Sequence, residues 1–312
     1  MRLTGWLGVV PLVIAACGGS TGGGGGSGGG GGAAPGLQAT FGPIDLPAGV
    51  ETTQCIVAAL GNTTDVVMTG YDVNLLPGSH HMIVYATTDA VQPDPINCTP
   101  FAGLAVGTDT PIAFANKLQE TWSFPSGVAV PIPANQNIRV EAHYINTTQG
   151  DLTGQGTITL HTTDAATAPP YQAAGYNFYG TFNISIPPNS TYSTGMLFEP
   201  GIAGTTQIQI TTHQHHLGTG IQVWESTGSG QTGTQIANDM DWSNPAWSTL
   251  DPQYAFDGTN GLAFQCSWTN TTDQTVGFGE SALDEMCFVG GYYYPSHGMH
   301  FCVDGQCRIR NP

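Results

Sequence analysis

The side chains able to do unusual chemistry in this 312-residue chain are nine histidines and one methionine, and their spacing is uneven. His80 and His81 precede Met82, His143 and His161 stand alone, His213 is followed by His215 and His216, and His297 and His300 lie near the end. Single histidines in strands are ordinary packed or surface residues. A pair at i and i+2 on a strand is different, because both imidazoles project from one face and can meet one ion. His213 and His215 have that spacing, with His216 turned the other way. Adjacent residues such as His80 and His81 face opposite sides, so sharing an ion needs a bulge or a twisted strand end. Pro77-Gly78 just before them permits one; otherwise only one of the two binds. Imidazoles are good ligands for several transition metals, and a thioether such as that of Met286 is a soft donor. His297, Met299 and His300 beside Cys302 and Cys307 form a further His/Met group, read here as surface residues next to a small cysteine-closed loop.

The elements that must position these groups read as β structure from residue 37 to 312. Val66-Val67-Met68, Met82-Ile83-Val84-Tyr85, Ile138 to Tyr144 and Thr206 to Thr211 are β-branched or alternate with period two. Leu76-Pro77-Gly78, Thr147 to Gly150, Pro187-Pro188-Asn189 and Pro200-Gly201 separate them as turns. No segment carries a helical stripe of any length. The pattern predicts an all-β fold of two tandem antiparallel β-sandwiches, jelly-roll-like, over 37–168 and 169–312. The boundary falls between Thr162 and Tyr171, where the hydrophobic pattern lapses.

Composition narrows function. Five Lys and Arg stand against 22 Asp and Glu, for a net charge of −17, yet only 9% of residues are charged. Such a surface cannot neutralise a row of phosphates, which excludes nucleic acid, and it is not attracted to anionic lipid. With 40% apolar residues it is not a disordered acidic tail either. Arg2 precedes an apolar stretch from Trp6 to Ala16, too short to span a bilayer and laid out as an export signal over residues 1–17. Its end, Ile14-Ala15-Ala16-Cys17, resembles the lipobox of bacterial lipoproteins, which implies cleavage before Cys17 and lipidation of its thiol. Residues 18–36 are a Gly-rich tether. Gly18 and Gly19 after the cysteine imply outer-membrane sorting, to a periplasmic or surface-exposed position. Six cysteines remain, and an even number in an exported chain reads as three disulfides. Cys55 and Cys98 lie early and are expected to pair, leaving Cys266, Cys287, Cys302 and Cys307 to form two bridges.

The motifs Gly78-Ser79-His80-His81-Met82-Ile83, Glu141-Ala142-His143-Tyr144, Thr212-His213-Gln214-His215-His216-Leu217-Gly218 and Asp284-Glu285-Met286-Cys287, followed by Tyr292-Tyr293-Tyr294, occur in that order. Together they resemble the ascorbate-dependent type II copper monooxygenases, the family of peptidylglycine α-hydroxylating monooxygenase and dopamine β-monooxygenase. The resemblance runs from about Cys55 to Cys302. It implies two copper ions: an electron-transfer copper on His80, His81 and His143, and a catalytic copper on His213, His215 and Met286. It further implies a Cys266–Cys287 bridge, ascorbate or an equivalent reductant, and O2-dependent hydroxylation of a small-molecule C–H bond. His216 reads as a supporting residue. Two departures bear on the substrate. The arginine that grips a peptide carboxylate two residues before the HxH pair is here Thr211, and the tyrosine four residues after the methionine is Gly290. Both are expected to remove polar handles and open space, which favours a neutral or apolar substrate, or a cationic one drawn by the acidic field. The alternative function is a copper-binding or copper-handling lipoprotein without turnover; a structural sandwich with incidental histidines leaves the ordered motifs unexplained.

Overall fold

The computed structural model describes residues 36–101 and 109–310. The export signal, Cys17 and the tether up to Pro35 lie outside them. The described residues are all β, with no helix among them. The described residues fall in one compact unit.

The first half builds two sheets. One runs in the order Leu37–Leu46, Leu152–Asp164, Val66–Leu75, Val128–Ile132 and Gln172–Ala173, with Gln119–Ser123 also paired to Val66–Leu75. The other runs Gln92–Asn97, Glu51–Ala59, Asn137–Ile145, Ser79–Thr87 and Thr110–Ala115. In the second half one sheet runs Ser248–Ala255, Thr206–His213, Phe288–Tyr294, Gly175–Gly180, Met299–Val303 and Gln306–Arg310. Its partner runs Ser190–Ser193, Gly261–Asn270, Gly218–Ser226 and Gln235–Asp239, with Leu197–Pro200 also on Gly261–Asn270. Ser185–Ile186 and Val276–Gly277 form a small ribbon.

Strand periodicity explains how the halves join. Phe178, Phe288 and Phe301 belong to a core shared with Ile83, Tyr85 and Val140 of the first half. Their neighbours Tyr179, Val289 and Cys302 belong to a second core with Val223, Phe264 and Trp268. Successive side chains point to opposite faces, so the middle of this sheet is covered on both sides, and its four central strands read as almost unbroken buried runs rather than alternating ones. The seam between the halves is therefore hydrophobic core, closed by Tyr292, whose hydroxyl donates to the Ile112 carbonyl at 3.0 Å. The disulfides are Cys55–Cys98, Cys266–Cys287 and Cys302–Cys307.

Three acids carry a pH signature. Burial pushes Glu120, Glu141 and Glu199 up to about 7 from an ordinary value of 4.5. Glu141 is the most enclosed, accepting from the Phe101 backbone N–H at 2.8 Å and the Tyr85 hydroxyl at 3.2 Å. A carboxyl with a raised folded-state pKa binds its proton more tightly folded than unfolded. Stability present below pH 4.5 is thus lost as pH rises toward about 7, by about 3 kcal/mol for Glu141. The buried histidines, held below their ordinary range, titrate with the opposite sign over part of this window, so the readout is a difference: the melting midpoint of Glu141→Gln minus that of the parent should rise between pH 4.5 and about 7. A difference that stays flat or falls over the same range would contradict this.

Candidate metal centre

Five histidines from three places in the sequence converge. His80 and His81 sit at the start of Ser79–Thr87, where the ladder to Asn137–Ile145 shifts register between Ser79 and His81. His80 is the extra residue of a bulge, and this brings two adjacent imidazoles to one side, their ring centres 5.2 Å apart. Gly78 makes the entry possible: it holds φ at 95°, and a Cβ there would lie 2.9 Å from Leu46. His143 stands opposite His81 in the ladder, ring centres 5.0 Å apart. His213 ends Thr206–His213, and His215 lies just beyond it, 5.3 Å away ring to ring.

The two ligand sets assigned by resemblance are contiguous. His80 lies 5.4 Å from His213 and 5.9 Å from His215, and His81 lies 5.3 Å from His213, between ring centres. The tightest trio, with one ligand nitrogen from each within 4.8 Å of the others, is His80, His81 and His213, drawn from both sets.

The surroundings orient these rings and leave nitrogens free. Neither ring nitrogen of His81 or His213 has a hydrogen-bond partner, nor do His80 Nε2, His143 Nδ1 and His215 Nε2. Buried polar atoms are normally satisfied, so this concentration of orphaned imidazole nitrogens asks for a ligand. Burial, reinforced by neighbouring imidazoles, holds His80, His81 and His213 well below the usual histidine range and therefore neutral. Burial lowers His215 to about 4. Neutral imidazole is the metal-binding state, and the nitrogen-rich donor set fits copper. His143 Nε2 is engaged at 2.9 Å by Glu51, which also accepts from the Ala282 N–H at 2.7 Å and the Ser281 hydroxyl at 3.2 Å. The bond to His143 comes first among the causes that lower Glu51 to about 2. His215 Nδ1 pairs with the Asp284 carbonyl at 3.0 Å, which points Nε2 at the cluster.

Glu285 ties the HxHH loop to the DEMC segment. Its fully buried carboxylate accepts from the backbone N–H of His215 at 3.0 Å, that of Leu217 at 2.7 Å and the Trp268 indole at 2.8 Å. Motif matching singled out its neighbour Met286 and passed over this residue. Its place beside Met286 in the motif was the available signal. Glu51 and Trp242, whose ring lies 6.0 Å from His80, had no signal in the sequence, since only folding brings them to the site.

Met286 is buried. It lines an apolar cavity of about 100 Å³ with Phe101, Phe178, Phe278, Phe288 and Glu280 among others. Phe101 connects that cavity to the histidines, its ring 5.0 Å from His81 and 5.6 Å from His213. His216 is exposed and pairs with the Ala282 carbonyl. His161 pairs with Asp72 at 2.8 Å, away from the cluster on Leu152–Asp164. Thr211 is buried and donates to the Ala246 carbonyl at 3.2 Å. Gly290 does not open space, contrary to the sequence reading: a Cβ there would lie 2.2 Å from the Tyr176 hydroxyl, so that ring already fills the room.

Residues 181–308 match the family model of the copper type II ascorbate-dependent monooxygenase C-terminal domain. The span includes His213, His215 and Met286, while His80, His81 and His143 precede it. Comparison with curated proteins returns no match. Among solved structures, the chain is similar to the major capsid protein P2 from bacteriophage PM2, at 7% identity and a TM-score of 0.37, covering 84% of this chain and 99% of that one. That likeness is too distant to carry an argument.

Proposed function

We propose that this chain, whose residues 181–308 match the copper monooxygenase C-terminal domain, is a copper-dependent monooxygenase. It hydroxylates a C–H bond of a small neutral or apolar substrate with O2 and ascorbate or another one-electron reductant. The observation that carries the reading is the convergence of five imidazoles, each with at least one buried ring nitrogen that has no hydrogen-bond partner, within and beside that span. His80, His81 and His143 would hold one ion; His213 and His215, with Met286 as the resemblance implies, would hold the second. Bound copper would supply the one-electron chemistry that couples ascorbate oxidation to dioxygen reduction.

The chain's own residues prepare the site. Glu51 and the Asp284 carbonyl fix the orientation of His143 and His215. Phe101 covers His81 and His213, and Trp242 lies against His80, so water is limited around the free nitrogens. The phenylalanine-lined cavity beside Met286 suits a compact apolar group, and its one carboxylate, Glu280, offers nothing to a carboxylate substrate. Thr211 likewise supplies no cation. The lipobox-like Cys17 and Gly-rich tether support an outer-membrane lipoprotein, periplasmic or surface-exposed.

A soluble form lacking residues 1–36 should bind copper and consume O2 with ascorbate only when an acceptable apolar substrate is present. A glycine-extended peptide should be a poor substrate. Efficient peptide conversion would refute the substrate assignment; copper binding without coupled uptake across a broad panel would favour a copper-handling role. Because the rings are contiguous, His80→Ala should weaken copper binding by both sets, at least ~10-fold in chelator competition. Loss of one ion with the other's affinity unchanged would show two independent sites.

A further inference from the structure

The hairpin made by Met299–Val303 and Gln306–Arg310 carries a second group of metal-ligating side chains. Cys302 and Cys307 face each other in its ladder and are bridged. His300, two residues before Cys302, projects from the same face, and its Nε2 lies 3.1 Å from Cys302 Sγ. Tyr179 holds the other ring nitrogen, hydroxyl to Nδ1, at 3.1 Å. Glu199 accepts from the Gly305 N–H at 3.1 Å, and its second oxygen lies 3.7 Å from Cys307 Sγ. One ligand atom each from His300, Cys302 and Cys307 falls within 4.8 Å of the others.

This bridge is placed differently from the other two. It closes a separation of 5 residues, against 43 for Cys55–Cys98 and 21 for Cys266–Cys287, so it removes the least chain entropy. The hairpin register from Met299–Arg310 to Val303–Gln306 is already held by backbone pairing. Its sulfurs also differ: Cys302 is buried against His300, whereas Cys307 is exposed to an incoming reagent. Cys266 and Cys287 are both fully buried.

We propose that Cys302–Cys307 is a redox-controlled lock on a metal site, and that its reduction by a small thiol frees two thiolates that bind one thiophilic cation, Zn²⁺ or Cu⁺, together with His300 and Glu199. A thiolate RS⁻ attacks the exposed Cys307 sulfur, an S–S bond forms to R, and the Cys302–Cys307 bond breaks with its electron pair left on Cys302 Sγ beside the His300 ring. A second RS⁻ attacks the R sulfur of the mixed disulfide and releases Cys307 as thiolate, giving RSSR. Two electrons pass from two thiols to the protein. The Tyr179 hydroxyl both donates and accepts, so it can hold the His300 tautomer that presents Nε2 to a metal. Two thiolates, one imidazole and one carboxylate make a donor set for Zn²⁺; the sulfurs also suit Cu⁺.

The test treats the folded chain with a small thiol, removes it anaerobically, maps free cysteines by alkylation and titrates Zn²⁺, Cu⁺ and Co²⁺ separately. Cys302 and Cys307 should become alkylatable before the other four, and the reduced protein should bind one more Zn²⁺ or Cu⁺ per chain than the oxidised one. Co²⁺ should give a thiolate-to-metal charge-transfer band, which the histidine cluster lacks. Reduced protein alkylated at both sulfurs should lose the band, and Cys307→Ser, which keeps one thiolate, should weaken it; His300→Ala should lower affinity at least ~10-fold. Earlier reduction of Cys266–Cys287, no extra metal after reduction, or a band that survives alkylation would overturn the proposal. The band reports sulfur ligation alone, so it stands or falls independently of copper at the five histidines.

Discussion

Alanine in place of Met286 is expected to cut substrate-coupled oxygen uptake by at least ~100-fold while the histidines keep their copper. Two effects must be separated, because Met286 is almost fully buried and belongs to the core shared by the two halves. Truncation to alanine leaves a cavity and costs about 2–5 kcal/mol in its own right. Met286→Leu keeps the volume at under about 1.5 kcal/mol and removes only the thioether sulfur. If the sulfur is a ligand, the leucine variant should melt near the parent and still lose turnover. A leucine variant that melts normally and keeps activity would make Met286 packing for the phenylalanine-lined cavity and nothing more.

The second large effect is expected at Glu285. Burial pushes its carboxyl above the ordinary range, against the pull of the N–H groups of Leu217, His215, Trp268 and Met286. Glu285→Ala removes the acceptor and leaves the buried donors of His215, Leu217 and Trp268 unpaired, a loss of about 3–5 kcal/mol. Against a typical total of about 5–15 kcal/mol this approaches unfolding. Glu285→Gln places an amide NH₂ against donors on one side and still accepts on the other, so a smaller loss of about 1–3 kcal/mol is expected. Since the carboxylate ties the His215 loop to the residue before Met286, the glutamine variant should bind copper more weakly even where it remains folded. Denaturant unfolding together with copper titration reads both. A glutamine variant with unchanged stability and copper affinity would remove Glu285 from any positioning role.

Much of the site was legible because metal ligands and strands both leave local marks. Period-two runs and Gly, Pro and Asn turns identify β structure one segment at a time, and the structure is all β. The early and late grouping of cysteines was enough to pair Cys55 with Cys98. For His80 and His81, periodicity left two outcomes open, since a bulge depends on what the partner strand offers. The ladder to Asn137–Ile145 supplies it. At Gly290 local reading misled: a missing side chain looks like space, but Tyr176 comes from a strand more than a hundred residues away and fills it.

Residue chemistry and order by themselves determined the donor types, the β class, the lack of cations for an anionic partner and the family resemblance, because each of these is a property of short segments or of counts. Tertiary structure decided that His80, His81, His143, His213 and His215 form one contiguous group, and that Glu51 and Glu285 hold its edges. It did so through a sheet buried on both faces, which joins the two halves into one core and brings side chains more than 130 positions apart into ring contact. That proximity is set by packing between sheets, and no segment of the chain encodes it alone.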